Sequence, residues 1–212
     1  MAVWLGALAI LASVGGAASA ETLSDDALVA ALRGGGYTLY FRHAATDWGG
    51  TDRIAADGEW TSCDPNRMRQ LSAPGRDSAR HVGEAIRALQ IPVGKVLSSE
   101  YCRAAATARL LNLGPVETTP AIMNMRAAEY VGGPQAVILR ARRILSEPPP
   151  PGTNVVIVGH GNLMRAATGA YTDEGGSGIY APRPESGKDF ELVARLSPDD
   201  WARLKARFAA DG

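Results

Sequence analysis

Tyr37-Thr38-Leu39-Tyr40-Phe41-Arg42-His43-Ala44-Ala45-Thr46-Asp47-Trp48 is the stretch on which the reading of this chain turns. Gly34-Gly35-Gly36 closes whatever precedes it, and the β-branched and aromatic run from Tyr37 to Phe41 predicts a short buried strand. The run ends on Arg42-His43 and passes into a polar, Gly-rich loop. Open α/β sheets bind their ligands at such C-terminal strand ends. A guanidinium keeps its charge, whereas an imidazole titrates near neutrality. Side by side they suit an anion that is both held and attacked. Taken alone, the pair also fits an ion-paired arginine beside a hydrogen-bonded histidine.

Working outward, the clearest buried strand is Asn154-Val155-Val156-Ile157-Val158, which runs straight into Gly159-His160-Gly161. Lys95 to Ser98 and Val116 to Thr119 are two further short strands, and Gly178 to Tyr180 and Phe190 to Leu196 are two more. Helices alternate with them. Ser24 caps one over Ala27 to Arg33, and Ser72, with Pro74 in the first turn, opens one to about Gln90. Others cover Glu100 to Leu111, Gln135 to Ser146 behind Pro134, Leu163 to Ala170, and a closing helix from the Ser197 cap to about Phe208. His81 reads as an exposed residue of the second helix. Ala121 to Val131 fits neither period, and Ala44 to Gln70 is a long aperiodic loop of the kind that usually carries function. Strands alternating with helices predict an α/β protein with a mostly parallel sheet and helices on both faces.

The chain has 212 residues, and Lys plus Arg equals Asp plus Glu, so no global field draws in nucleic acid or an anionic membrane. Residues 1–20 read as a signal peptide: Val3 to Val14 is almost wholly apolar, and Ala18-Ser19-Ala20 fits a small-x-small cleavage site. A positively charged start is missing, and an uncleaved anchor is the alternative. The expectation is a periplasmic or secreted protein with no stable membrane insertion after signal removal, and residues 21–212 as a single domain. Two cysteines, Cys63 and Cys102, fit either one disulfide or two free thiols.

Three predicted strands end in residues useful to an anion: Arg42 and His43, the Ser98 to Arg103 turn, and His160. In a parallel sheet these ends share one edge, so residues far apart in sequence converge. Two arginines and two histidines around a phosphate-sized space point to phosphoryl chemistry. A neutral imidazole can attack phosphorus and carry the phosphoryl group covalently. Neighbouring positive charge favours that neutral form. No metal and no cofactor is expected.

Phe41-Arg42-His43-Ala44-Ala45-Thr46, Leu71-Ser72-Ala73-Pro74-Gly75-Arg76, the segment Ser98-Ser99-Glu100-Tyr101-Cys102-Arg103-Ala104-Ala105-Ala106-Thr107-Ala108, and Val158-Gly159-His160-Gly161 resemble, in order and spacing, the histidine phosphatase (phosphoglycerate mutase-like) superfamily. The resemblance spans roughly Tyr37 to Ala170. It implies a three-layer α/β/α sandwich, with His43 as the phosphorylated nucleophile and Arg42, Arg103 and His160 binding the phosphoryl oxygens.

The general acid departs from the family pattern. One branch places an aspartate directly after the second histidine, where this chain has Gly161. The other uses a glutamate after the third strand, where Asn124 stands. Glu129, Asp47 and Glu174 are the substitute candidates. Glu100 stands where many members have proline and adds a carboxylate near the rim. Trp48, Trp60 and Tyr101 either line the mouth or pack the long loop. Cys63 and Cys102 both lie in segments expected to approach the pocket, so a disulfide pinning the long loop to the second motif is expected.

The function this implies is a secreted, metal-independent phosphomonoesterase acting on a small phosphorylated substrate such as an envelope sugar phosphate. The alternative is a non-catalytic phosphate- or phospholigand-binding protein that has lost its acid. A mutase is disfavoured, and a zinc hydrolase built on His43 and His160 lacks compact ligand spacing.

Overall fold

The structure, a computed structural model, describes residues 23–183 and 189–209. The segment read as a signal peptide lies outside the described residues. Six strands form one sheet: β1 (Thr38–Arg42), β2 (Val93–Ser98), β3 (Val116–Thr118), β4 (Asn154–Gly159), β5 (Ser177–Pro182) and β6 (Phe190–Leu196). Their order is β3-β2-β4-β1-β5-β6. The pairings among β3, β2, β4 and β1 are parallel, while β5 runs antiparallel to both β1 and β6. The sheet is therefore mostly parallel, in a three-layer α/β/α sandwich.

The helices are α1 (Asp25–Gly34), α2 (Ala73–Ala88), α3 (Cys102–Leu111), α4 (Pro134–Ser146), α5 (Gly161–Thr168) and α6 (Pro198–Phe208). Local chemistry sets their starts. The Ser72 hydroxyl accepts from Gly75 N–H at 3.1 Å, and Pro74 sits in the first turn of α2, where its missing N–H is harmless. Ser197 and Asp200 close a reciprocal capping box at α6. α2 packs on α3 and α6, with α1 also against α6, and α4 packs on α5.

Two boundaries differ from expectation. α3 begins at Cys102 rather than near Glu100, because Tyr101 still has extended backbone. The ambiguous stretch resolves into 3-10 turns at Pro120–Ile122 and Met125–Val131, the second capped by the Asn124 side chain on Arg126 N–H. His81 is exposed, as read.

β1 and β4 are buried along their whole lengths, the signature of strands covered on both faces. Their register fixes the site. Arg42 lies opposite Gly159, and Ser98 lies opposite Val158. Beyond the strands the ladder continues: His43 N–H donates to Gly159 C=O at 3.0 Å, and Ser99 N–H to Val158 C=O at 2.9 Å. Three strand ends thus stand level on one edge. No helix among the described residues is long and apolar enough to cross a membrane.

Candidate functional site

A cavity of about 450 Å³ opens at that edge, lined by Arg42, His43, Arg103 and His160 together with Asp52, Arg69, Asn124 and others. The structure brings together all four residues singled out at the strand ends. His43 and His160 meet edge to face with ring centroids 5.5 Å apart.

His43 is 2 % exposed and its Nδ1 lies 3.0 Å from Ala44 C=O. A carbonyl only accepts, so Nδ1 carries the proton and Nε2 keeps the lone pair. Burial, then Arg103, holds its pKa well below the usual histidine value, with Arg42 and Arg69 adding to the effect. His160 is driven down likewise by burial and then Arg103. Both rings are neutral at neutral pH. His160 Nε2 meets Ser99 Oγ at 2.9 Å, while its buried Nδ1 has no protein partner. The backbone of His160 is clamped by Tyr40, whose hydroxyl donates to its carbonyl at 3.2 Å and accepts from its N–H at 3.3 Å.

Arg103 is 1 % exposed at its side chain and forms a bidentate pair with Asp52, at 2.9 and 3.0 Å. Asp52 also accepts from Arg69 N–H at 3.1 Å. Arg42 donates to Tyr171 Oη, Thr172 C=O and Glu174 Oε1. Arg69 stacks over the Trp48 ring at 4.1 Å and reaches Glu174 at 3.7 Å. The Nε–H groups of both Arg69 and Arg103 are buried without an acceptor. Together with His160 Nδ1, three nitrogens around one cavity lack partners. Leaving a buried donor unmade costs about 1–3 kcal/mol, so the two guanidinium Nε–H groups are polar groups that the free protein leaves unsatisfied.

Sequence reasoning missed Asp52 and Arg69, which sit in the aperiodic loop. The signal that points to them is Cys63. The structure joins Cys63 to Cys102, with Cα atoms 5.3 Å apart, which ties that loop to the residue beside Arg103. Gly75 supplies a second tie: a Cβ there would lie 2.0 Å from Ala45 C=O, so only glycine lets α2 approach the loop after His43.

The acid candidates separate clearly. Asp47 and Glu129 are exposed and do not line the cavity, and Asp47 accepts from Gly49 N–H instead. Glu174 lies beside the pocket but accepts from Arg42, Thr46 N–H and Thr46 Oγ1. A side chain at Gly161 is blocked, since its Cβ would fall 2.7 Å from the Tyr171 ring and 3.0 Å from Arg42 Cδ. Asn124 lines the cavity, and its amide oxygen accepts from Arg126 N–H and Asn162 Nδ2, leaving its NH2 available to a ligand.

The aromatics also divide. Trp48 lines the cavity at 69 % exposure. Trp60 and Tyr101 do not form the mouth. Trp60 is buried and donates its indole N–H to Glu100 at 3.0 Å, which accounts for that extra carboxylate. Tyr101 is buried edge-on to His160, with Arg103 over its ring.

Residues 39–147 match the family model of the histidine phosphatase superfamily (branch 1). This chain belongs to the histidine phosphatase superfamily. Members of that superfamily are phosphatases or mutases. No curated protein matches the chain. Among solved structures, it is similar to the protein histidine phosphatase SixA complexed with tungstate, at 17 % identity. The match covers 77 % of this chain and 98 % of that one, with a TM-score of 0.53. It is also similar to the open reading frame Rv3214 from Mycobacterium tuberculosis, at 19 % identity, 77 % and 98 % coverage, and a TM-score of 0.53. At such identities the likeness is one of fold. Among the described residues of this superfamily member, no three His, Cys, Asp or Glu side chains gather as a metal-ligand set.

Proposed function

We propose that this protein is a phosphomonoester hydrolase that works through a phosphohistidine on His43, with Arg42, Arg103 and His160 holding the phosphoryl oxygens. The observation that carries the reading is the convergence on one cavity of Arg42, Arg103 and His160 with a neutral His43, whose Nδ1 is tied to Ala44 C=O and whose Nε2 keeps its lone pair. In the first step Nε2 attacks phosphorus and the bond to the leaving oxygen breaks. Water then attacks the phosphohistidine, releasing phosphate and restoring the imidazole. The guanidinium groups offset the charge gathering on the equatorial oxygens.

Both carboxylates at the pocket, Asp52 and Glu174, are committed to arginines. Among the described residues no free carboxyl at the pocket therefore stands ready to protonate the leaving oxygen, so turnover depends steeply on leaving-group acidity. That same observation favours a second reading, a phospholigand-binding protein without turnover. The disulfide supports export to the periplasm or beyond, where such bonds persist, and so favours envelope sugar phosphates or scavenged phosphoesters as substrates.

The test is phosphate release from an aryl phosphate by the wild-type protein beside His43→Ala, with chelator present. Turnover lost in the variant, with phosphate label trapped on a histidine of the wild type, supports the hydrolase. Equal background rates in both proteins reject it and leave the binding reading.

A further inference from the structure

Charge around the cavity is out of balance with the rest of the chain. The whole protein is formally neutral, yet five arginines line this one opening: Arg42, Arg69, Arg103, Arg126 and Arg165. Two carboxylates answer them. Asp52 pairs with Arg103, and Glu174 serves Arg42 and Arg69. With both histidines neutral, three positive charges remain. A phosphomonoester at neutral pH brings at most about two negative charges.

One of the three belongs to the floor, where Arg42 and Arg69 share Glu174; the other two do not. Arg126 and Arg165 are exposed at the rim, and among the described residues neither guanidinium has a carboxylate within ion-pair distance. Arg165 lies over the Tyr171 ring at 4.4 Å, and that tyrosine also receives the Arg42 hydrogen bond. The Arg165 head is thus placed by stacking rather than by a counter-ion. Arg126 follows directly on the turn that Asn124 caps, and Asn124 and Asn162 line the opening with these arginines.

We propose that the substrate carries a second anionic group, which Arg126 and Arg165 receive at the rim while the scissile phosphoryl group sits between His43 and Arg103. The inference rests on reading the floor as the phosphoryl site, and it names the substrate class: a phosphomonoester whose alcohol part bears a further phosphate or carboxylate. Neutral Asn124 and Asn162 line the cavity alongside these charges and suit the hydroxyls of a sugar or polyol between the two anionic ends. A guanidinium pair beside an oxyanion is a strong match in geometry, although exposure at the rim weakens each contact.

The test needs no turnover. Wild-type protein is titrated calorimetrically with alkyl phosphonates, whose C–P bond is not hydrolysed, and with α,ω-bisphosphonates and phosphonocarboxylates of three to six carbons. Binding of the doubly anionic ligands at least about tenfold tighter than the matched monophosphonate is expected, falling with added salt. Arg126→Ala and Arg165→Ala should each remove most of that preference, and Arg143→Ala, at an exposed α4 residue that pairs with Glu147 and does not line the cavity, should keep it. The bisphosphonate and phosphonocarboxylate arms distinguish a second phosphate from a carboxylate. Equal affinity for singly and doubly anionic ligands overturns the proposal, as does a preference that survives both replacements. Aryl phosphate turnover is measured separately, so failure of the hydrolase reading and failure of the rim reading give different results.

Discussion

Replacing Asp52 by asparagine should weaken the fold and tighten phosphate binding at once. In the free protein both terminal nitrogens of Arg103 point at the Asp52 carboxylate, so the fork that would grip a phosphoryl group is already filled by an anion. An incoming phosphate must share or displace it. Two unit charges about 4 Å apart repel by about 4 kcal/mol at an effective dielectric of 20, and relaxation of the pair keeps the realised part well below that. A gain of at least about tenfold in phosphate affinity, or roughly 1.4 kcal/mol, is therefore expected when the charge is removed. The cost lies in folding. Arg103 and Asp52 are 1 % and 5 % exposed, and a buried cation that loses its partner destabilises by about 3–5 kcal/mol. The asparagine carbonyl still accepts one of the two hydrogen bonds, so a loss toward 2–3 kcal/mol is the working figure. Urea titrations of wild type and variant, with and without millimolar inorganic phosphate, read both quantities. Phosphate should rescue the variant more than the wild type, because ligand binding to the native state adds RT ln(1 + [L]/Kd). A variant that is less stable and binds phosphate no tighter refutes the competition argument.

Other consequences are equally direct. The Cys63–Cys102 bond closes a loop of 39 residues, for which chain entropy gives about 4 kcal/mol; Cys63→Ser with Cys102→Ser should lower the urea midpoint accordingly, and an unchanged midpoint under reducing conditions contradicts this. Both pocket histidines have depressed pKa values, so below about pH 6.5 the unfolded chain takes up protons that the native one refuses. Stability should therefore fall with falling pH across that window, and imidazole NMR signals of His43 that titrate at or above 6.5 would contradict the burial argument. Gly75→Ala pushes a methyl against the Ala45 carbonyl and should destabilise by about 1–3 kcal/mol or more, with loss of aryl phosphate turnover through displacement of the His43 loop. A fully stable, active Gly75→Ala protein argues against that contact.

The parts of the site that were legible in the sequence are those that sit on periodic elements. Arg42, His43 and His160 end buried apolar runs, and a run of that kind predicts both a strand and the position of its end. Arg103 was legible because it opens a helix directly after such a run. Asp52 and Arg69 belong to a loop with no period, and the contact that gives Asp52 its meaning spans 51 residues. Trp60 and Tyr101 read equally as mouth residues or as packing for the long loop, because loop aromatics look alike. Only the Glu100 partner and the packing on His160 reveal them as buried supports.

Glu174 shows why a largely parallel sheet keeps one reversed strand beside its centre. α5 leaves the site edge at His160 and carries the chain to the opposite edge at Thr168. A parallel strand could start there at once. Instead the chain returns to the site, where Tyr171 and Glu174 meet Arg42, Glu174 ties down Thr46, and Gly175 N–H donates to His43 C=O. Only then does β5 begin, so it must run away from the pocket, antiparallel to β1. The reversal brings a carboxylate from residue 174 into contact with an arginine at residue 42. That carboxylate offsets charge at the floor and orients Arg42, which leaves the two rim arginines as the unmatched positive end of the site.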